Sequence, residues 1–330
     1  MTTAFTTANC IQTLRAMHVP NERDALLEKQ LTRLFAVDKE GNTTPVPTRY
    51  AGGKETRGIA LVEAAGGGKT TSIRKVLADA PFLQENPETR QPRYLEIQVP
   101  NPATLKSVGL AILEATGMSG VSERTTVWKI WSVVRHRLGL LGIMVLWLDE
   151  AQDLVMAQSA NDTENTLRMI KSLMQGEHAV IPILSGTQRL AEMTSFDLQV
   201  SRRFTKIAPP DLEYGVHDEN LLGLIEAYCE EVDLRTALPD DLCARLIRAS
   251  RHRFGRAIET ILNALECALF DGSPNLSMEH FVEAWAMQEG CAPSANIFEV
   301  NDWLSVPLDR DADAYEEART KRQHKKLERV

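Results

Sequence analysis

Apolar and polar positions repeat along the chain in two different ways, and the change falls near residue 217. Before it, short apolar runs typical of strands buried on both faces of a sheet alternate with segments of helical spacing. The runs predict strands at 59–63, 94–99, 179–184 and 204–207, and one ending at Asp149. The spacing predicts helices at 69–79, 103–116, 125–138 and within 161–175. Strands that alternate with helices indicate an α/β fold with a five-stranded parallel sheet covered on both faces.

The segments on either side of this region have other patterns. An amphipathic stretch at 21–35 precedes the polar, Pro-rich residues 41–48, which predict a loop. After residue 217 the strand pattern stops, and helical spacing at 219–232, 240–249, 256–269 and 278–288 predicts a small helical domain. Residues 309–330 are almost entirely polar, as in a solvated helix, a disordered tail or a docking segment. We expect an N-terminal extension at 1–57, a core at 58–212, a helical lid at 213–290 and a tail at 291–330.

A glycine-rich turn separates the first predicted strand from the next helix. Residues 63–71 read Glu-Ala-Ala-Gly-Gly-Gly-Lys-Thr-Thr, close to the phosphate-loop pattern that begins with Gly and ends with Gly-Lys-Ser/Thr. Backbone N–H groups of such a turn and the positive end of the helix bind phosphate, and the lysine adds a point charge. The predicted ATP-binding set is Gly66, Gly67, Gly68, Lys69, Thr70 and Thr71, with Thr70 as a ligand of Mg²⁺. The pattern asks for glycine where this chain has Glu63, and a plain glycine-rich turn is the alternative.

A second element lies about eighty residues further on. Residues 143–150 form an apolar run that ends in Asp149 and Glu150. Because ligands bind at the carboxyl ends of strands in such sheets, Asp149 is placed to hold Mg²⁺ and Glu150 to orient the attacking water. A core strand followed by two solvated acids is the alternative. The order, a phosphate loop followed by an acidic strand end, favours an ATPase.

Composition limits the possible partners and compartments. The net charge of −8 and pI of 5.5 exclude attraction of the whole molecule to nucleic acid, so any DNA contact needs a local patch repeated across several subunits. The five cysteines are dispersed, without a zinc-binding or redox pair. The longest apolar run is too short to span a bilayer, and the N-terminus lacks the features of an export signal. We therefore expect a cytoplasmic protein with no membrane partner.

A parallel sheet followed by a helical lid resembles the arrangement of AAA+ ATPases, and that resemblance assigns further residues. After the fourth strand, Ser185, or else Thr187, corresponds to the polar sensor of the γ-phosphate; a Ser-Gly turn capping a helix is the alternative. Arg202 or Arg203, just before the fifth strand, corresponds to the arginine finger that reaches the nucleotide of a neighbouring subunit. Arg256, which opens the third helix of the lid, corresponds to the second sensor. Basic turns on the surface remain the alternative for these arginines.

Three stretches of the sequence indicate a particular family among the AAA+ ATPases. Residues 18–23 read His-Val-Pro-Asn-Glu-Arg, residues 149–154 read Asp-Glu-Ala-Gln-Asp-Leu, and residues 201–204 read Ser-Arg-Arg-Phe. With them the chain resembles, over about residues 15–270, the TniB/TnsC family of AAA+ transposition ATPases, which pass target choice to a transposase. The resemblance implies that Val19, Pro20 and Arg23 lie near the adenine or ribose.

The same resemblance implies a homo-oligomer, ring or helical filament, around double-stranded DNA, with a transposase and a target-selection protein as partners. Two loop-to-helix junctions carry hydroxyls and cations that could touch phosphates without reading bases, namely Thr104 with Lys106, and Arg124 with Thr125. A helix N-cap at Thr125 and a solvated Lys106 are the alternatives.

Two functions from different classes follow. The first is an ATP-dependent regulator of DNA transposition that assembles on target DNA with ATP and disassembles on hydrolysis. The second, which the acidic pI favours, is a nucleotide-dependent signalling or adaptor ATPase that does not bind DNA. A replication initiator or helicase loader is a third, but no recognition-helix module is apparent after residue 290.

Overall fold

A computed structural model describes residues 2–122, 124–156, 160–196 and 198–309. Of the tail expected at 291–330, residues 310–330 lie outside the described residues. The helices are α1 Thr2–Ala16, α2 Glu22–Thr32, α3 Lys69–Asp79, α4 Leu105–Ala115, α5 Val127–Leu141, α6 Asp153–Met156, α7 Ala160–Leu173, α8 Gln188–Phe196, α9 Leu198–Ser201, α10 Asp218–Glu231, α11 Leu242–Ala249, α12 Phe254–Asp271 and α13 Met278–Glu289. The strands are β1 Phe35–Val37, β2 Thr43–Pro47, β3 Gly58–Val62, β4 Tyr94–Gln98, β5 Val145–Asp149, β6 Ile181–Gly186, β7 Phe204–Ile207, β8 Arg235–Ala237 and β9 Asn275–Ser277.

The five-stranded parallel sheet predicted from the sequence is confirmed. Its strand order is β4-β5-β6-β3-β7, so the glycine-rich loop after β3 lies beside the end of β6 and one strand away from the end of β5. All residues of β3, β5 and β6 are buried, which explains why these strands appear as continuous apolar runs.

The sheet separates two apolar layers. Since successive side chains of a strand point to opposite faces, Leu146 and Leu148 pack into one layer and Val145 and Trp147 into the other. Helices α4 and α5 cover the first layer, and α2 and α3 cover the second. This three-layer core fixes the carboxyl ends of β3, β5 and β6 along one edge.

Two local predictions were wrong. The segment 41–48, expected as a loop, contains β2, which pairs with β1 in an antiparallel hairpin. Its two prolines made it look like a loop, but a strand of a two-stranded ribbon tolerates proline. Strands also continue after residue 217, because β8 and β9 form a short parallel pair. Three-residue strands are too short to produce a recognisable alternation.

The chain divides into two compact units, residues 18–210 and residues 1–17 together with 211–330. The domain bounds that the sequence predicts, 1–57, 58–212, 213–290 and 291–330, remain a prediction. Helix α1, which was not predicted from the sequence, packs against α12, and Arg15 donates a 2.7 Å hydrogen bond to Glu266. The start of the expected tail is also packed into this unit, since Ile297 and Phe298 are buried. None of the helices in the described part of the chain has the length and apolar content that a bilayer span requires.

Candidate nucleotide site

The glycine-rich loop turns sharply before α3. Gly66 and Gly68 have φ angles of 79° and 99°, a region that glycine adopts without strain. Gly68 is the N-cap of α3 and supplies no side chain to cap it, so the first N–H groups of the helix keep their capacity to bind an anion. A loop of this shape fits phosphate. Thr71, also in the predicted set, is exposed on α3.

Lys69 is folded back under the loop. It is 6% exposed, and its Nζ donates hydrogen bonds to the carbonyls of Glu63, at 2.9 Å, and Ala64, at 3.1 Å. Burial lowers the pKa of Lys69, whereas the charges of Glu63, Glu150 and Asp149 act in the opposite direction. A bound anion would favour the charged ammonium further.

Asp149, at the end of β5, connects the start of α3 and the end of β6. Its Oδ2 accepts a 2.7 Å hydrogen bond from Oγ1 of Thr70 at the start of α3. Its Oδ1 accepts a 2.6 Å bond from the hydroxyl of Ser185 at the end of β6. A hydroxyl and a carboxylate side by side are hard oxygen donors of the kind that Mg²⁺ takes alongside phosphate and water. Thr70 and Asp149 therefore fit the magnesium site predicted for them.

Ser185 is completely buried and uses its hydroxyl twice. It donates to Asp149 and accepts a 2.7 Å hydrogen bond from Nε1 of Trp147. The hydroxyl is thus engaged in orienting the Asp149 carboxylate. Thr187, the second sensor candidate, lies just beyond β6, where its backbone N–H donates to Gln152.

Glu150 follows β5 in an unusual backbone conformation, with φ of +54°. Its carboxylate accepts a 2.5 Å hydrogen bond from Nε2 of Gln152. The sequence indicates Gln152 only as part of the family-like stretch 149–154, and its contact with Glu150 was not predicted. Its position two residues after Glu150 was the available signal.

The N-terminal element reaches the same loop. Arg23 is 6% exposed; its Nη1 donates to the Glu63 carboxylate, at 2.8 Å, and to the carbonyl of Gly67, at 2.7 Å. Val19 is half-buried and Pro20 is exposed, just before the capping residue of α2. The structure therefore brings Arg23 to the phosphate loop through Glu63, a contact that the sequence did not indicate.

The two arginine-finger candidates have opposite environments. Arg203 is buried, and its Nε and Nη2 both donate to one carboxylate oxygen of Glu55, at 3.0 and 2.5 Å. Burial alone would raise the pKa of Glu55, but the Arg203 hydrogen bonds and charge lower it overall. Arg202 is exposed. Arg203 is thus engaged within its own chain, whereas Arg202 lies on the surface.

The two loop-to-helix junctions that are predicted to contact DNA precede α4 and α5, and they lie at the same end of these parallel helices. Trp131 in α5 donates a 2.9 Å bond to the carbonyl of Leu105 at the start of α4, and Arg137 contacts Thr116 after the end of α4. The helices therefore run in the same direction, and their first turns are neighbours. The candidate residues at this end are Thr104, Lys106, Arg124 and Thr125.

Local contacts define these junctions further. Thr104 is the N-cap of α4 and accepts a 2.9 Å bond from the backbone N–H of Ser107. The N-cap of α5 is Thr126, so the N-cap considered for Thr125 was wrong by one residue. Trp128, in the first turn of α5, is 75% exposed.

Arg256, in the other compact unit, is half-buried in the first turn of α12.

The sheet, the glycine loop and the acidic strand end define a P-loop ATPase with the AAA+ fold. A family model described as "Bacterial TniB protein" matches residues 48–214. The chain belongs to this TniB family, and the resemblance expected from the sequence is confirmed. Comparison with curated protein sequences gives no match.

Solved structures with a similar fold include two archaeal proteins. The Aeropyrum pernix ORC1 protein in complex with DNA has a TM-score of 0.55 and 18% identity, covering 82% of this chain and 66% of that chain. Cdc6p from Pyrobaculum aerophilum has a TM-score of 0.57 and 12% identity, covering 87% of this chain and 73% of that chain. At these identities the likeness concerns the fold, and this chain spans about two thirds of the ORC1 chain.

Proposed function

We propose that this protein is an ATP-dependent regulator of DNA transposition, which assembles on duplex DNA with ATP and disassembles when ATP is hydrolysed. The observation that carries the proposal is the convergence of Lys69, Thr70 and Asp149, with Glu150 beside them, at one edge of the sheet in a TniB family member. The ORC1 neighbour, whose structure contains DNA, adds support from its fold.

In this proposal each side chain has a defined task. Lys69 and the N–H groups at the start of α3 bind the phosphates, and Thr70 and Asp149 hold Mg²⁺, which supplies charge neutralisation at the transferring phosphoryl group. Glu150 orients the attacking water and takes up its proton. Ser185 keeps the Asp149 carboxylate in place. Arg256 is retained as the second sensor, and Val19 and Pro20 as neighbours of the base.

Assembly follows if the nucleotide is shared between subunits. Arg202 is exposed, so it can reach the nucleotide of an adjoining copy, where its planar donors stabilise charge in the transition state. The γ-phosphate then acts as the signal for assembly, and its hydrolysis removes that signal. The transposase and the target-selection protein would act on the assembled form.

DNA contact is assigned to the joint end of α4 and α5. Lys106 and Arg124 provide positive charge there, while Thr104 and Thr125 provide hydroxyls, a combination suited to phosphates and not to base edges. A chain of net charge −8 needs several copies of such a patch to hold DNA, which links DNA binding to assembly.

Negative-stain electron microscopy with plasmid DNA and a non-hydrolysable ATP analogue tests the proposal. Rings or filaments on DNA are expected with the analogue and not with ADP. Glu150→Gln should bind ATP and accumulate the assembled form, and Lys69→Ala should neither bind nor assemble. Only monomers with the analogue and DNA would overturn the proposal.

A nucleotide-dependent adaptor that never binds DNA is the second candidate, and the acidic net charge favours it. A mobility shift on arbitrary duplex DNA separates the two. Binding that needs ATP and weakens as salt rises supports the transposition regulator, since phosphate contacts release counterions. Nucleotide-dependent assembly without any DNA shift supports the adaptor.

A further inference from the structure

We propose that Arg23 is a charge-compensating residue, which makes an acid tolerable at the position where the phosphate-loop pattern has its first glycine. The inference rests on the proposed nucleotide site and concerns how this chain keeps that site able to bind phosphate. It assigns to Arg23 a role that depends on Glu63, in place of the direct contact with adenine or ribose.

The Glu63 side chain lies against the loop itself. A Cβ built on Gly67 would lie 2.1 Å from the carboxylate carbon of Glu63, so this carboxylate occupies the space directly above the Gly67 backbone. A negative charge at this place opposes the approach of a triphosphate. The glycine of the usual pattern carries no such charge.

Arg23 neutralises that carboxylate at the loop. Its Nη1 is 2.8 Å from Oε2 of Glu63, and both side chains are more than nine-tenths buried. The same Nη1 donates to the carbonyl of Gly67, and a Cβ on Gly68 would lie 3.1 Å from Nη2. The guanidinium therefore lies over two loop residues at once, where removing it would leave a buried, unpaired carboxylate.

Arg23 also retains a donor without an acceptor. Its Nε is buried and makes no hydrogen bond within the described residues. Such a group costs free energy, so the contacts of Nη1 to Glu63 and Gly67 must outweigh this cost to hold the guanidinium at the loop.

The next residue fixes the position of Arg23. Asp24 accepts a hydrogen bond from the Ser72 hydroxyl in the first turn of α3 and lies 2.8 Å from Nε2 of His18. Asp24 also completes the capping box of α2 with Asn21. Helix α2 is therefore fastened to α3 beside the loop, and Arg23 is held where it can act.

A double-mutant cycle tests the inference on the full chain. Binding of a fluorescent ATP analogue with Mg²⁺ is measured for Arg23→Gln, Glu63→Gln and the double variant, with Arg23→Lys as the charge-preserving control and thermal unfolding as the check of folding. Arg23→Gln should weaken binding at least tenfold when Glu63 is present. Glu63→Gln should bind as well as the native chain or better, and the double variant should bind within about threefold of Glu63→Gln.

The outcomes separate this inference from the proposed function. If Arg23→Gln weakens binding equally in the native chain and in Glu63→Gln, Arg23 contacts the nucleotide directly. That result overturns the charge-compensating role and leaves the proposed nucleotide site standing. If Arg23→Gln does not fold, Glu63→Gln still decides, because a tenfold loss in that variant contradicts a repulsive carboxylate. A native chain that binds no better than Lys69→Ala overturns the nucleotide site and this inference together.

Discussion

The side-chain amide of Gln152 joins Glu150 to the strand that follows it in the chain. Its Nε2 donates a 2.5 Å hydrogen bond to Oε2 of Glu150, and its Oε1 accepts a 3.1 Å bond from the backbone N–H of Thr187. A Cβ on Gly186 would lie 2.3 Å from that same oxygen, so a larger residue there would displace the amide. Gln152 thus holds the Glu150 carboxylate relative to the end of β6.

Replacing Gln152 by Ala should lower kcat for ATP hydrolysis about tenfold and leave KM nearly unchanged. The carboxylate would lose its orienting donor, while the phosphate-binding groups would keep theirs. Steady-state kinetics in the presence of DNA measure both constants. Glu150→Gln, which removes the proposed base, is the comparison and should cost about 10² to 10⁴ in kcat. A change confined to KM would contradict a positioning role.

Replacing Arg203 should affect stability, whereas replacing Arg202 should affect ATP hydrolysis. Replacing Arg203 by Ala leaves Glu55 buried without its partner, so we expect a loss of about 3–5 kcal/mol in the free energy of unfolding. Arg202→Ala should have the same unfolding temperature as the native chain. In the assembled state it should hydrolyse ATP at least a hundredfold more slowly than the native chain. Denaturant unfolding and ATPase assays with DNA check the two variants. A stable Arg203→Ala chain would contradict the structural role of the buried pair.

The joint end of α4 and α5 should determine the salt dependence of DNA binding. Lys106→Ala combined with Arg124→Ala should weaken binding about tenfold or more and flatten the plot of log affinity against log salt, because each lost phosphate contact removes about 0.9 from the slope. Fluorescence anisotropy of labelled duplex DNA at several salt concentrations measures both quantities. Lys39→Ala, an exposed lysine in the turn between β1 and β2, is the matched control. If Lys39→Ala changed the affinity and the salt slope as much as the Lys106→Ala/Arg124→Ala variant does, the joint end of α4 and α5 would be excluded as the DNA-binding surface.

The helical unit should lose stability in alkali. Burial raises the pKa of each of Cys229, Cys243 and Cys267 to about 11, above the ordinary thiol value of about 8.5. The folded chain therefore keeps thiol protons that the unfolded chain releases. Their stabilising effect is complete below about pH 8.5 and is lost as the pH rises towards about 11.

Urea unfolding at a series of pH values from 7 to 11 measures this loss. Replacing the three cysteines by Ala should make the decline shallower, whatever the change in stability at pH 7. Replacing Cys10, which is only partly buried, is the control. An unchanged decline in the triple variant would show that other groups cause it.

The phosphate loop and its flanking elements could be read from the chain because their signals are local. The predicted helix 69–79 and the strand 204–207 coincide with α3 and β7, and the acidic end of β5 falls at Asp149 as expected. Buried strands require continuous apolar runs, and a sharp turn at a helix start requires glycine, so both leave a mark within a few residues.

Contacts between distant residues left no such mark. Arg23 and Glu63 are 40 residues apart, and Arg203 and Glu55 are 148 apart. Neither pair follows from composition or spacing, since packing of α2 beside α3 and of the start of β7 beside Glu55 brings the charges together. The sequence left Arg202 and Arg203 equivalent, and only burial distinguishes them.

Local patterns in the chain were enough to predict the parallel sheet, the phosphate loop and the acids at the end of β5, because apolar periodicity and the special backbone of glycine act over a few residues. The contacts of Ser185 with Asp149, of Gln152 with Glu150 and of Arg23 with Glu63 appear only in the folded chain. These contacts depend on which side chains meet when the sheet and its covering helices exclude water, and no spacing along the chain encodes that.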